Sequence, residues 1–220
     1  MKVLRKIILT LLALPKTLIF NFWCLPFRQA IRLPVLVSHR VWLMDMSGTV
    51  VVHRLRTASI KIGFGDVAIF DQHRSRTIWQ VSGSVEFKGK ASLGHGSKLS
   101  VSGSLVMGNH FSISAESAII ATQNISIGDN VLVSWDALIS DTDFHKIFDA
   151  DGQHINQPQS ITIGNGVWIG CRTLILKGVQ IADGVVMAAS TTLTKSVSAR
   201  NAIVGGEPAR VLKENISWLH

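Results

Sequence analysis

The sequence predicts an all-β solenoid, a parallel β-helix, and three observations carry that expectation. From Ile161 to Val197 aliphatic residues recur every six positions, at Ile163, Ile169, Ile175, Ile181, Met187 and Leu193. A second series runs four residues behind each, at Val167, Thr173, Val179, Val185, Thr191 and Val197. Gly, Ala, Ser or Thr often follows the first series. A helix asks for a period of 3.6 and a lone strand for strict alternation. A fixed short repeat is instead the mark of a solenoid, and six residues is a period of a parallel β-helix. Three hexads make one coil of 18 residues, which stacks Ile163 under Ile181, Ile169 under Met187 and Ile175 under Leu193. Successive coils pair through their backbones at a spacing of roughly 4.8 Å. The aliphatic series fills the prism and small residues take its corners, where the chain turns without side-chain clashes. One coil cannot bury its own apolar face, so several are required.

The 220 residues, 47% apolar, suit one domain with an appendage, and a core of Ile, Val and Leu needs few aromatics. Cys24 and Cys171 lie far apart in different kinds of segment, so no disulfide framework is implied and a reducing compartment fits. The net charge of +8 is unevenly placed: residues 1–80 hold 12 Lys/Arg against 3 Asp/Glu, and residues 81–220 hold 10 against 11. The basic excess keeps apolar company, which points to anionic lipid rather than nucleic acid.

In chain order, residues 1–33 form an apolar, basic, helical segment. Lys2, Arg5 and Lys6 precede the run Ile7–Leu14, Pro15-Lys16 interrupts it, and a second run, Thr17–Phe27, is closed by Arg28 and Arg32. No small-residue cleavage site marks it as a signal peptide. Pro15-Lys16 falls in the middle of what would be a membrane span. A helix lying in the interface, with Trp23 and Phe27 as anchors, fits best. The bland alternative is a helix packed across the end of the solenoid or between subunits. Residues 34–80 read as an irregular cap and first coil, with strand-like Val41–Leu43, Thr49–Val52 and Ile60–Gly63. The basic groups His53, Arg54, Arg56 and His73, Arg74, Arg76 make a solvated face or a lipid-phosphate surface. Residues 81–204 carry the continuous hexads, with steps of eight after Leu93 and Ile119 that suggest two-residue bulges at a corner. The pattern breaks over residues 140–160, a polar, turn-rich excursion of the kind that carries function on a rigid scaffold. Residues 205–220 form a C-terminal tail in which Ala209–Ile216 suits a short helix.

Within Val167–Lys213 the chain reads VWIG, then KGVQIADGVVMAAS, then LTK, then GGEPARVLK. This wording resembles the hexapeptide-repeat acyltransferases, most of all the maltose/galactoside acetyltransferase-like and capsule-type O-acetyltransferases. The resemblance, not the periodicity, implies a left-handed coil. It implies transfer of acetyl from acetyl-CoA to a sugar hydroxyl, directly and without a covalent enzyme intermediate. It further implies a homotrimer with active sites formed between subunits.

Such a reaction needs a base to take the hydroxyl proton, and histidine suits it near neutrality. Members of the family place that histidine at the start of the excursion, which lands on His145 within Asp141-Thr142-Asp143-Phe144-His145. Asp143 or Asp141 is the acid to orient the imidazole, with Asp141 also a substrate-side candidate. Taken alone, a loop histidine beside two aspartates needs no role beyond bonding them. Carried over motif by motif, the acetyl-CoA contacts fall on Cys171 after VWIG, Ala189 in VMAAS, Thr194 and Lys195 in LTK, Arg210 in PAR, and Lys213. Lys195, Arg210 and Lys213 have the charge to meet phosphate. Trp168 is outward-facing and flanks the acceptor or pantetheine site, or packs between subunits; Trp135 is similar. The chain departs from the family pattern at Ser196 and Ser198, where an acid and a Pro are usual, and at Ala182 and Ala188, where Gly is usual.

The acceptor this implies is a sugar or lipid-linked glycan, met at the cytosolic face of the inner membrane because acetyl-CoA is cytosolic. Three alternatives stay open: a soluble acetyltransferase on a small sugar or amino acid, a zinc enzyme of the hexapeptide-repeat carbonic anhydrase type using His95, His110 and His145, and a non-catalytic scaffold.

Overall fold

The computed structural model describes residues 2–65, 67–72 and 74–219, with side chains from residue 7 onward. His73 and His220, and the side chains of Lys2, Arg5 and Lys6, lie outside the described residues.

A long helix, α1 (Lys2–Cys24), and a single turn, α2 (Phe27–Ala30), precede a three-faced solenoid. The first coil is β1 (Val35–Val37), β2 (Trp42–Asp45) and β3 (Thr49–Val52); the second is β4 (Ile60–Phe64), β5 (Ile78–Val81) and β6 (Ser84–Phe87). Then follow β7 (Ala91–Gly94), β8 (Lys98–Val101) and β9 (Ser104–Met107), and β10 (Phe111–Ile113), β11 (Ala118–Ala121) and β12 (Asn124–Ile127). The fifth coil, β13 (Leu132–Val133), β14 (Leu138–Ser140) and β15 (Ile161–Ile163), contains the excursion. The sixth is β16 (Trp168–Ile169), β17 (Leu174–Ile175) and β18 (Gln180–Ile181). The last strands are β19 (Val186–Met187), β20 (Thr192–Leu193), β21 (Ile203–Gly205) and β22 (Arg210–Lys213). Every third strand shares a face: the first face runs β1-β4-β7-β10-β13-β16-β19-β21-β22, the second β2-β5-β8-β11-β14-β17-β20 and the third β3-β6-β9-β12-β15-β18.

The predicted stacking holds: Ile163 pairs with Ile181, Ile169 with Met187 and Ile175 with Leu193, all in parallel register and all buried. Two features differ from the sequence expectation. Residues 34–80, expected to hold an irregular cap and a first coil, hold one full coil from Val35 and most of a second, because β1 to β3 already pair in register with β4 to β6. The steps of eight are not corner bulges. The middle coils advance by 20 residues, as Trp79 onto Leu99 and Ile119 onto Ile139, and the added residues lengthen strands. β8 points both Leu99 and Val101 inward, and β9 both Leu105 and Met107. The corner between second and third faces then closes tightly on Gly83 and Gly103. A Cβ on Gly83 would stand 2.0 Å from the Gly103 carbonyl oxygen, so only glycine fits between stacked turns.

Corner backbone groups must find partners because the turns are stacked and partly buried. At this second corner the N–H groups of one coil donate to carbonyls of the next: Ser82 and Gly83 to Val101, and Ser84 to Gly103. Between third and first faces, side chains do the work. The Asn109 N–H donates to Asp129 Oδ1 (2.7 Å), that of Asp129 to Asn165 Oδ1 (2.8 Å), and that of Asn165 to Asp183 Oδ1 (2.8 Å). The short acceptors of Asn and Asp reach exactly one coil back, which explains a column of these residues at a turn.

Strand β1 has no coil beyond it, and α1 takes that place. Asn21 Nδ2 donates to the Val35 carbonyl (2.6 Å) and Asn21 Oδ1 accepts the Val35 N–H (3.2 Å). Thr17 Oγ1 accepts the Val37 N–H (3.0 Å) and donates to the Val37 carbonyl (3.3 Å). Four residues of helix rise about 6 Å and two residues of strand about 6.6 Å, so an i, i+4 pair matches alternate strand residues. Ala13, Phe20 and Leu25 are buried beside this seam, with Phe20 edge-on to Trp79 at 5.0 Å between centroids. Burial in the same region pushes the Cys24 thiol up to about 11. The packing across the solenoid end, the lesser of the two sequence readings, is therefore realised by one face of α1. Its opposite face leaves Ile8, Leu11, Leu18, Ile19, Phe22 and Trp23 exposed. The stretch Ile7–Cys24 has the length and composition of a membrane-crossing helix, yet Thr17 and Asn21 tie it to the protein.

The C-terminal segment is also a correction: Arg210–Lys213 is strand, not helix, and pairs antiparallel with β21. Replacing Asn21 by Ala leaves the Val35 N–H and carbonyl buried without partners. The expected loss is about 2–4 kcal/mol of unfolding free energy, read by urea denaturation; an unchanged midpoint would show that α1 does not close the solenoid.

Candidate active site

The excursion leaves the second corner after Ser140, where the regular coil would supply carbonyls to the turn before it. Asp141 supplies carboxylate oxygens instead. Its Oδ1 accepts from the Thr122 N–H (2.8 Å) and Thr122 Oγ1 (2.9 Å); its Oδ2 accepts from the N–H groups of Gln123 (2.8 Å) and Asn124 (2.9 Å). Asp141 is 0% exposed. It has no surface to offer a substrate and does not reach the imidazole, so both roles expected for it are corrected: it holds the base of the loop. Its carbonyl also accepts the Gln159 N–H (3.0 Å), which returns the chain to the coil.

Beyond Asp141 the loop is a small hairpin. Phe148 and His154 form an antiparallel bridge and the turn closes through the Gly152 N–H donating to Asp149 O (3.1 Å). Asp143 Oδ2 accepts from Lys177 Nζ (2.5 Å) and Asn156 Nδ2 (2.9 Å), and Asn156 Nδ2 also donates to the His145 carbonyl (2.8 Å). The lysine and the Asn156 amide together hold the Asp143 carboxyl below the usual carboxylate range. Asp143 thus pins the loop to the second corner of the sixth coil and does not orient the ring expected of it. His145 itself is exposed, and among the described residues its ring makes no hydrogen bond. Phe144, Ile147, Phe148 and Ile155, all more than half exposed, surround it with apolar surface on a projecting arm.

The residues expected to meet acetyl-CoA fall into two groups. Cys171 and Ala189 share the first corner, between first and second faces, in successive coils; the Ser190 N–H donates to the Cys171 carbonyl (2.9 Å). Trp135 stands one coil below, its carbonyl accepting the Arg172 N–H (3.1 Å). Thr194, Lys195 and Arg210 come together around a cavity of about 180 Å³ at the end of the solenoid, floored by Leu193, Val197 and Val204. Lys213, in β22, pairs with Ile203 of β21 and does not line it. Trp168 projects from the first face. Its Nε1 donates to Ser134 Oγ (3.1 Å) and its ring lies 5.8 Å from that of Trp218, whose Nε1 donates to the Gly166 carbonyl (2.7 Å). Sequence reasoning missed this tail contact, and missed Lys177 and Asn156; the basic residue in the turn after Ile175 was the one available signal.

His145 stands at the second corner, and Cys171 and Ala189 at the first, with the second face between them. His95, His110 and His145 occupy three different corners, so one chain does not gather them, and no metal-holding cluster occurs among the described residues.

Comparison with known proteins agrees with this architecture. The family model "Bacterial transferase hexapeptide (six repeats)" matches residues 160–195. A galactoside O-acetyltransferase from Escherichia coli K12 is 34% identical over 110 residues, 49% of this chain and 53% of that protein. Among solved structures, a galactoside acetyltransferase in complex with coenzyme A matches at a TM-score of 0.52 with 29% identity, over 59% of this chain and 64% of that one. A polysialic acid-specific acetyltransferase matches at 0.66 with 20% identity, over 84% and 82%, a likeness of fold. The chain thus carries the hexapeptide repeat over residues 160–195 and has the left-handed β-helix fold, so the hand that periodicity leaves open is left. The relatives it matches include a galactoside and a polysialic acid O-acetyltransferase, and it spans about half or less of the length of the curated relatives it matches.

Two outcomes follow. Asp141→Ala strands three corner N–H groups and costs about 3 kcal/mol or more, measured by urea denaturation; Asp141→Asn also destabilises, because its amide faces N–H donors. The depressed Asp143 pKa gives a pH dependence: its contribution is complete above the unfolded value of about 3.9 and is lost as pH falls through the lower folded value. Hydrogen exchange in residues 143–156, taken relative to the intrinsic rate at each pH, is expected to stay slow from neutrality to about pH 4 and to quicken below it. Lys177→Met is expected to quicken it already at neutrality; equal protection in the variant would remove the clamp.

Proposed function

We propose that the protein is an acetyl-CoA-dependent O-acetyltransferase acting on a sugar hydroxyl, with His145 as general base. The observation that carries this reading is the arrangement of the excursion. A fully satisfied base, Asp141, and a clamp, Asp143–Lys177, hold a projecting loop that presents one free imidazole. A rigid root under an uncommitted base is what proton abstraction requires. The residues fit the donor. Stacked first-corner turns at Cys171 and Ala189 offer a thin strip of backbone for a pantetheine arm. Lys195 and Arg210 at the terminal cavity supply cations for its phosphates. The named relatives, and the coenzyme A complex among solved structures, support the same donor.

In the reaction the Nε2 or Nδ1 of His145 takes the hydroxyl proton as the acceptor oxygen attacks the acetyl carbonyl. The thioester C–S bond breaks, the ester C–O bond forms, and the coenzyme A thiolate takes up the proton from the imidazolium. Cys171 is a half-buried corner residue in this scheme, and no covalent enzyme intermediate is invoked.

The active unit in this reading is a homotrimer. His145 and the Cys171–Ala189 strip lie on different corners of one chain, so a second copy brings a loop to a strip. The exposed Phe144, Ile147, Phe148 and Ile155 supply apolar surface for that contact. The exposed face of α1 and the N-terminal basic excess support a peripheral position at the cytosolic face of the membrane, with a lipid-linked glycan as acceptor.

Acetyl-CoA turnover, followed as thiol release with a membrane glycolipid fraction beside soluble sugars, tests the reading. His145→Ala is expected to lower turnover by about 10²- to 10⁴-fold while leaving the thermal midpoint in place. Release that persists undiminished in the variant would remove His145 as base. Release with simple sugars alone would assign a soluble acceptor, and a monomeric mass in mild detergent would remove the shared site.

A further inference from the structure

The first face carries a basic recess that the transfer chemistry does not use. Arg56, Lys61, Lys90 and His110 line a cavity of about 710 Å³ where that face meets the third, together with Ser92 and Ser112. All four basic residues are exposed, and no carboxylate lines the cavity. Elsewhere on the solenoid, cations face carboxylates: Lys98 with Glu116 at 2.8 Å, Lys177 with Asp143 at 2.5 Å, Arg172 with Asp136 at 3.5 Å. The side chains of Arg56, Lys61, Lys90 and His110 make no ion pair and no hydrogen bond among the described residues. Carboxylates on adjoining elements are engaged with other groups. Glu86 of β6 meets His53 Nε2 at 2.9 Å, and Asp129 Oδ1 accepts the Asn109 N–H (2.7 Å).

The recess opens onto a track along the first face. Its outward residues stack in register, Lys61 beside Ser92, then Ser112, Leu132 and Trp168. Four inter-strand steps of about 4.8 Å make a track of about 19 Å. The Ser92 and Ser112 hydroxyls make no hydrogen bond among the described residues, so each keeps a donor and acceptors for a ligand. Trp168, 37% exposed, stands at the far end of the track. It lies three residues before Cys171 and so beside the strip assigned to the pantetheine arm. An indole face, a row of hydroxyls and a group of cations match the ring faces, hydroxyls and carboxylates of an acidic sugar chain. Single-stranded nucleic acid asks instead for aromatic faces among the cations. The aromatic residue lining the recess, Phe111, is buried.

We infer that the acceptor is an acidic glycan whose carboxylates are held in this recess while another sugar of the same chain stands at the transfer site. The inference rests on the reading of the protein as a sugar O-acetyltransferase and names the class of acceptor that its charge selects. A neutral chain would leave Arg56, Lys61 and Lys90 unmatched, and a single sugar would not span the track. In the trimer of that reading the loop and the strip meet across the second face, so the first face stays open along its length.

The test is binding of the full chain, without acetyl-CoA, to three probes: polygalacturonate oligomers long enough to span the track, neutral dextran oligomers of equal length, and oligothymidylate. Lys61→Gln/Lys90→Gln alters two exposed side chains, and a retained thermal midpoint confirms its fold. Arg28→Gln/Lys98→Gln removes the same charge elsewhere. Wild type is expected to favour polygalacturonate, less so as salt is raised. The Lys61/Lys90 variant is expected to lose about 10-fold in affinity for it, and the Arg28/Lys98 variant to bind as wild type does. Equal wild-type affinity for dextran overturns the inference. Undiminished binding in the Lys61/Lys90 variant overturns the recess, and an equal loss in both variants assigns the preference to net charge and overturns it too. Oligothymidylate that binds more tightly than polygalacturonate and is lost in the Lys61/Lys90 variant assigns the recess to nucleic acid. Acetyl-CoA turnover with neutral sugars and no preference for polygalacturonate overturns the recess and leaves the transferase standing. Recess-dependent binding of polygalacturonate by a protein with no turnover keeps the recess and overturns its ligand as acceptor.

Discussion

Everything in this molecule depends on one constraint: each turn of the prism must pass its backbone N–H groups to the turn beyond. Along the faces this is ordinary parallel pairing. At the corners the chain bends away from strand geometry and the donors need specific acceptors. The second corner uses carbonyls above glycine, and the third uses the Asn109–Asp129–Asn165–Asp183 column. Wherever the regular coil stops, a substitute acceptor appears. Thr17 and Asn21 serve at the first edge. Asp141 serves where the excursion departs. At the far end the antiparallel β22 closes the first face.

The substitutes explain how the excursion can leave the coil where it does. A loop can leave a solenoid only if the donors it abandons are satisfied, and a buried carboxylate with four donors does this better than water at a stacked turn. The loop that carries His145 therefore starts from one of the most firmly bonded points in the structure. Its far side is held by Lys177, a residue of the next coil, so the segment carrying His145 is held by two coils at once.

The same constraint separates what was legible in the sequence from what was not. The hexads gave the late registers residue for residue, because an inward aliphatic every six positions admits one stacking. The middle coils were harder. With Leu99 and Val101 both inward, a period of six misplaces the extra residues, since burial alone does not say whether a strand or a corner grew. The roles of Asp141 and Asp143 were illegible. Both stand near the histidine in sequence, and only the fold shows that one serves the turn below it and the other the lysine above. The end-capping role of α1 was hidden by composition: an apolar helix with a Thr and an Asn four apart reads as a lipid-facing segment until the edge strand it pairs with is seen. Its two faces reconcile both readings, one bonded to protein and one still apolar and exposed.

Geometry along the coil axis links these parts. α1 lies across the first coil, and the second face then climbs β2, β5, β8, β11 and β14 before the excursion begins. Four inter-strand steps of about 4.8 Å put the loop roughly 20 Å above the helix. On the reading of α1 as a surface helix, His145 therefore stands well clear of the headgroups. In a cyclic trimer every copy points the same way along the axis, so three such helices would share one plane and three loops one height. Three weak surface contacts acting together bind far more tightly than one. An acceptor anchored in that membrane would have to extend about 20 Å from the lipid to reach the loop.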